Sequence, residues 1–160
     1  KIVSFFLAII IVFGASSTVF AAAGNIETGR DSSLEIIFRD GEKAIPDAEF
    51  SVYLIADIDE RGRYTVKEEF KNFNVNITGK NDEAWYALAS TLEGYIIQEG
   101  IVPTASGKTD SEGVLRLTGL KPGLYLILGT AAFIDGFTYF TETAIVQIPT
   151  LDNENNVWEW

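Results

Sequence analysis

The chain has no cysteine, no histidine and no methionine, and only four prolines in 160 residues. Without Cys, disulfides and thiolate metal sites are excluded. A domain without disulfides must rely on its core or on some other crosslink. Without His, the commonest general base and the commonest metal ligand are both missing. Basic residues are scarce as well: 12 Lys and Arg stand against 23 Asp and Glu, a net charge of −11. Such a chain has little to set against phosphates, which argues against nucleic acid, and it carries no polybasic membrane patch. The length suits one domain of ordinary size.

The one long apolar run is Ile2 to Phe13, preceded by Lys1 and followed, after a Ser/Thr patch, by Ala21-Ala22-Ala23. Charged, apolar and small residues in that order read as a secretory signal peptide over 1–23, with cleavage after Ala23 or after Ala21. The run is too short for a stable membrane span, which needs about 20 residues. Residues 24–32 are small, polar and charged and read as a flexible leader. The chain starts without Met and stops at Trp160 inside what reads as a strand, so the domain at 33–160 is expected to be truncated at its C-terminus.

From Ser33 onward the chain is rich in β-formers. Leu34 to Phe38 reads as a first strand, with a turn at Asp40-Gly41. Ala48 to Ala56 alternates, with Phe50, Val52 and Leu54 on one face and Ser51, Tyr53 and Ile55 on the other. The outer set is largely apolar too, so both faces are candidates for burial. A two-helix insertion is expected at about 65–100. Thr65 and Glu68 have capping-box spacing. Asp82 to about Glu99 repeats Trp85, Leu88, Leu92 and Ile96 at helical spacing, with Asn81 or Asp82 to cap the start and Gly100 to end it. Gly94 marks a possible kink or early end. Phe137 to Ile148 and Val157 to Trp160 read as the closing strands. Short strands with frequent turns give a mainly β fold: an antiparallel, Ig-like β-sandwich.

The most informative stretch is Thr109 to Gly129, two strands and two turns. Asp110-Ser111-Glu112-Gly113 makes the first turn and Gly119-Leu120-Lys121-Pro122-Gly123 the second. Val114 to Leu117 and the nearly all-apolar Leu124 to Leu128 are the strands.

Residues able to carry chemistry are few. Asp57, Asp59 and Glu60, Asp110 and Glu112, and Asp152 and Glu154 form acidic groups, yet all fall in loops, where carboxylates are simply solvated, and none has calcium-loop spacing. There is no G-x-S-x-G elbow, no base for a Ser or Thr nucleophile and no phosphate loop. Catalytic residues, metals and cofactors are therefore expected to be absent. Asn76-Ile77-Thr78 fits a glycosylation sequon of low specificity. The aromatics Trp85, Tyr86, Tyr95, Trp158 and Trp160 could form a sugar-stacking face, although their spacing suits core packing better.

In order along the chain, Asp40-Gly41, Ile45 to Tyr53, T-D-x-x-G-x-x-x-x-x-G-L-x-x-G-x-Y from Thr109, Tyr139 through Ile148-Pro149, and Trp158-Glu159-Trp160 together resemble the prealbumin-like, Cna-B-type modules of Gram-positive surface proteins. In particular they resemble the N-terminal domains of sortase-assembled, SpaA-type major pilins. The resemblance covers roughly residues 33–160, with Asp47 at a place usually held by Gly. It implies a cell-wall or pilus subunit at the cell surface, with neighbouring pilin subunits and a sortase as partners. An adhesin or carbohydrate-binding module with a host surface ligand is the alternative on the same fold. Many such modules join a first-strand Lys to a last-strand Asn under a buried Glu. Here Leu34–Phe38 holds no Lys and Gly129 stands at the usual Glu place, so no isopeptide bond of that geometry is expected. Lys108 and Lys121 lie in turns and lack the Y-P-K-like context of the polymerising lysine.

Overall fold

The computed structural model describes residues 9–11, 25–73, 75–77, 81–152 and 157–160. Among the described residues fourteen strands run in chain order: β1 (Ile9–Ile11), β2 (Ser32–Ile37), β3 (Arg39–Asp40), β4 (Lys43–Ala44), β5 (Glu49–Ile58), β6 (Tyr64–Val66), β7 (Ala105–Lys108), β8 (Val114–Leu120), β9 (Gly123–Gly129), β10 (Ala132–Ile134), β11 (Phe137–Tyr139), β12 (Ala144–Ile148), β13 (Thr150–Asp152) and β14 (Val157–Glu159). A short 3-10 helix, Glu68–Phe73, and helix α1, Asp82–Glu99, lie between β6 and β7.

Two antiparallel sheets face each other. One has the order β1-β2-β8; the other is β12-β9-β5-β6, with β7 pairing to β5 as well. Strand β5 is the spine of the second sheet. Along its length it pairs with β9, at its start with β7 and at its end with β6. Leu34, Ile36 and Leu117 from the first sheet meet Phe50, Val52, Tyr125, Ile127 and Ile148 from the second. Phe38 and Ile45 close one end, with Phe38 edge-on to Phe50 at 5.7 Å between ring centroids.

The second sheet is buried on both faces, as the apolar outer set of β5 suggests. Tyr53, Ile55 and Leu126 are covered by Ala89, Leu92 and Ile96 of α1 and by Phe70. Helix α1 begins where Asn81 accepts the Ala84 amide at 3.0 Å, and ends at Gly100 in the left-handed region. It runs unbroken past Gly94.

Several expectations need correction. Thr65 is a strand residue facing Asp57, not a helix cap, because pairing with β5 satisfies its backbone in an extended form. The first expected helix shrinks to the 3-10 turns at 68–73. The alternation of β5 breaks at a bulge between Leu54 and Ala56. Ile55 and Ala56 both end up beneath the helical layer. In the stretch read as a flexible leader, Ile26 is buried against Ile58 and Trp160, and its amide donates to the Glu60 carbonyl at 3.0 Å. The reading of 1–23 as a signal peptide is not among these corrections; of that stretch, Ile9–Ile11 pairs with the outer edge of β2, Ile9 opposite Ile37.

The Thr109–Gly129 stretch is a corner between the two sheets rather than a paired hairpin, since β8 belongs to one and β9 to the other. Its first turn is tied by Asp110, whose carboxylate accepts the Glu112 and Val114 amides at 2.8 and 3.0 Å. The Val114 bond, and after it the Glu112 bond, holds the Asp110 carboxyl below the ordinary carboxylate range. A depressed carboxyl favours the folded state above its unfolded value of about 3.9, and that contribution is lost as pH falls through the lower folded value. Asp110→Asn is expected to flatten this part of the acid limb in a pH series of urea midpoints.

Candidate functional site

The site worth weighing is a pocket of about 570 Å³ between the N-terminal half of α1 and strand β12. One ridge of the helix forms a wall: Asp82, Trp85, Tyr86 and Ala89 follow i, i+3, i+4, i+7 spacing and so share a face. Ala144, Ile145 and Gln147 of β12, with Glu142 and Thr143 just before it, form the opposite side. Leu124 of β9 lies deeper with Tyr64 of β6 near Gln147, and past the edge of β12 the space reaches Ile127 of β9, Phe50 of β5 and Ile36 of β2 in the core between the sheets.

The polar groups here are partly tied up. The Tyr64 hydroxyl donates to Gln147 Oε1, and Gln147 Nε2 donates to the Pro149 carbonyl at 3.0 Å. Thr143 Oγ1 donates to Glu93 Oε2, which fastens the approach to β12 against the helix. Burial pushes the Tyr64 hydroxyl above its usual pKa. Trp85 is half-buried, and Tyr86 is 60% exposed at the rim.

The five aromatics named from sequence do not form one face. Tyr95 stacks on Phe73 at 4.1 Å. Trp160 is buried with Ile26 and Ile58, with the Arg30 guanidinium 4.7 Å above its ring, and Trp158 packs on the same cluster. Only Trp85 and Tyr86 share the pocket. Tyr64 joins them from a distant strand, a partner that local spacing could not reveal.

The other candidates fall elsewhere. Asp57 pairs with Lys67 at 3.0 Å. Asp59 pairs with Arg63 and also accepts the Arg61 and Arg63 amides, a self-contained turn that lowers its pKa chiefly through the Arg63 amide. Among the described residues, no group of three or more Asp and Glu gathers as a metal site would. Ile77 of the sequon is buried, while Thr78, like Ala21, Ala23 and Glu154, lies outside the described residues. Lys121 pairs with Asp31 at 2.6 Å, and Lys108 is exposed at the end of β7.

At Gly129, a Cβ would fall 2.6 Å from Phe50 Cε1 and 2.7 Å from Thr141 Oγ1, so no side chain fits there without moving both neighbours. In β2, Leu34 and Ile36 point into the core, and Glu35 is bound to Arg116 of β8 at 2.6 Å.

This arrangement is a mainly β, antiparallel sandwich with a helical layer and a pocket at its side. No family model matches the chain, and no curated protein matches it. Among solved structures, the pilus backbone RrgB of Streptococcus pneumoniae aligns with 73% of this chain at 15% identity and a TM-score of 0.37. The chain corresponds to 33% of that protein's length. At that TM-score and identity the likeness carries no weight as to role. Among the described residues, no helix is long and apolar enough to cross a membrane.

Proposed function

We propose that this chain is a structural module of an exported cell-surface protein, of the kind that stacks into a pilus shaft or a wall-bound stalk under the action of a sortase. The reacting motifs would lie elsewhere in the polypeptide, and the module itself performs no catalysis. One observation carries the reading. Within the stretch that contributes most to the resemblance to sortase-assembled pilins, Thr109 to Tyr125, the matching residues are those that fix the corner between the sheets. Gly113 and Gly119 have positive φ, Gly123 lies against the Ala56 carbonyl, and Tyr125 is fully buried with its hydroxyl on the Lys121 carbonyl. The match is thus to positions with a physical task and not to incidental surface. The step from fold to role is analogy.

The test is an immunoblot of muramidase-released wall material from the source cells. A ladder of bands that survives boiling in detergent, and collapses to a monomer when the sortase gene is deleted, is expected. A single band confined to the culture medium would overturn the reading.

Within this proposal residues 1–23 direct export and are removed. The module carries no isopeptide crosslink of the usual geometry. Gly129 leaves no space for a Glu, and Glu35 is already neutralised by Arg116 at the sheet surface. Intact mass of the purified protein should equal the sum of its residue masses plus one water. A deficit of one ammonia or one water would contradict this.

The pocket beside α1 favours a second reading, an adhesin or carbohydrate-binding module, because Trp85 and Tyr86 stand together at its mouth. Retention on immobilised glycans, lost in Trp85→Ala, would bring that reading forward.

A further inference from the structure

We propose that the pocket between α1 and β12 binds an organic cation, a quaternary ammonium group held by aromatic faces and two carboxylates. Such a site goes beyond both the structural and the carbohydrate-binding role and does not depend on assembly into a pilus.

Charge is the first ground. Among the described lining residues the charged ones are Asp82 and Glu142, with no Lys or Arg. Neither acid enters any ion pair found among the described residues. The first turn of α1 has its own positive dipole end, which would oppose a cation. Asp82 and Glu83 sit on that turn, and Asn81 takes up the Ala84 amide, so full negative charges outweigh the partial positive one. The net charge of −11 adds a field of the same sign.

The aromatic lining is the second. Trp85, Tyr86 and Tyr64 line one pocket, and the faces of such rings carry the negative end of the quadrupole. Alkylated ammonium groups are recognised in this way, since they attract the ring faces and cost little to dehydrate.

Hydrogen bonding then separates an ammonium from a sugar. A sugar presents many hydroxyls and needs donors as well as acceptors around it. The hydroxyls of Tyr64 and Thr143 and the amide nitrogen of Gln147 already donate within the protein. The donors that remain among the lining residues are the Trp85 indole N–H, the Tyr86 hydroxyl and the second Gln147 N–H, beside two carboxylates and an otherwise largely apolar wall, and a quaternary ammonium asks for no hydrogen-bond partner. The volume of about 570 Å³ is within the range of small-ligand sites.

The test is a calorimetric and NMR titration of the purified protein with choline chloride, with its neutral carbon isostere bearing a tert-butyl group, and with N-acetylglucosamine. Choline is expected to bind, and the isostere to bind about ten-fold more weakly, the loss that comes from removing the charge from an aromatic site. Tyr86→Ala and Glu142→Gln should each weaken choline several-fold. Both residues are outside the buried core, so both variants should fold, as far-UV circular dichroism would verify. Equal affinity for choline and the isostere would overturn the proposal, because the pocket would then be merely apolar. No choline binding, choline binding unchanged in both variants, or a preference for N-acetylglucosamine would each overturn it too. The last result would also strengthen the carbohydrate-binding reading.

Discussion

Replacing Tyr125 with Ala is expected to lower the unfolding free energy by about 3–5 kcal/mol, the range for truncating a buried aromatic side chain. Tyr125 is fully buried in the core between the two sheets. From that position its hydroxyl donates to the Lys121 carbonyl at 2.7 Å, so one side chain fills the core and also pins the turn that links the sheets. Tyr125→Phe separates the two tasks. It keeps the ring and removes one hydrogen bond, at about 1 kcal/mol. Urea unfolding monitored by circular dichroism would measure both, and an Ala variant no weaker than the Phe variant would show that the ring adds nothing. A pH dependence arises from the same burial, which pushes the Tyr125 hydroxyl up to about 12. In the unfolded chain a Tyr ionises near about 10. The unfolded state therefore gives up its proton first, and stability is present below about pH 10 and lost as pH climbs toward the folded value. Tyr125→Phe should remove part of that alkaline loss. The remainder belongs in part to Tyr64, which burial shifts in the same direction.

Much of this fold was legible because its signals are local. The cap at Asn81, the apolar stripe of α1 and the stop at Gly100 act within a few residues of each other. The glycines of the corner declare themselves by their turns. The failures share a different origin. Thr65 and Glu68 satisfy a capping-box pattern, but Thr65 lies opposite Asp57 across a strand pair, and pairing with the sheet won. The bulge in β5 adds a residue that alternation cannot anticipate, and it moves Ala56 to the helical side. Ile26 looked like part of a polar leader because its partners, Ile58 and Trp160, are remote in sequence. The pocket shows the same division. The Asp82, Trp85, Tyr86 ridge can be read from helical spacing. Glu142 and Gln147 on the facing side, and Tyr64 beside them, are joined to it only by the way β12 and β6 flank the sheet, which no window of sequence contains.

Gly113→Ala is expected to be the most damaging of the small-to-small changes in the corner, at about 3 kcal/mol or more, because two costs coincide. Gly113 has φ +73°, and a Cβ there would fall 2.4 Å from the Phe38 carbonyl oxygen and 3.1 Å from the Ile45 amide nitrogen. These are backbone atoms in use. The Phe38 carbonyl accepts the Ile45 amide at 3.1 Å, and the Phe38 amide donates to the Gly113 carbonyl at 2.8 Å. Relieving the clash would therefore break the bonds that hold the end of β2 to the turn before β8. Two further glycines supply controls. Gly119 has the same φ but open space around its Cβ position, so Gly119→Ala should show the conformational cost alone, about 1–2 kcal/mol. Gly123 has no positive φ, yet its Cβ would lie 2.6 Å from the Ala56 carbonyl oxygen and 2.5 Å from Leu54 Cδ1, so Gly123→Ala should show the steric cost alone, about 1–3 kcal/mol. The expected order in urea midpoints is Gly113→Ala lowest, then Gly123→Ala, then Gly119→Ala. A Gly113→Ala variant as stable as Gly119→Ala would mean that the two sheets are not locked at this corner, and the account of why Thr109 to Gly129 carries the sequence signature would fall with it.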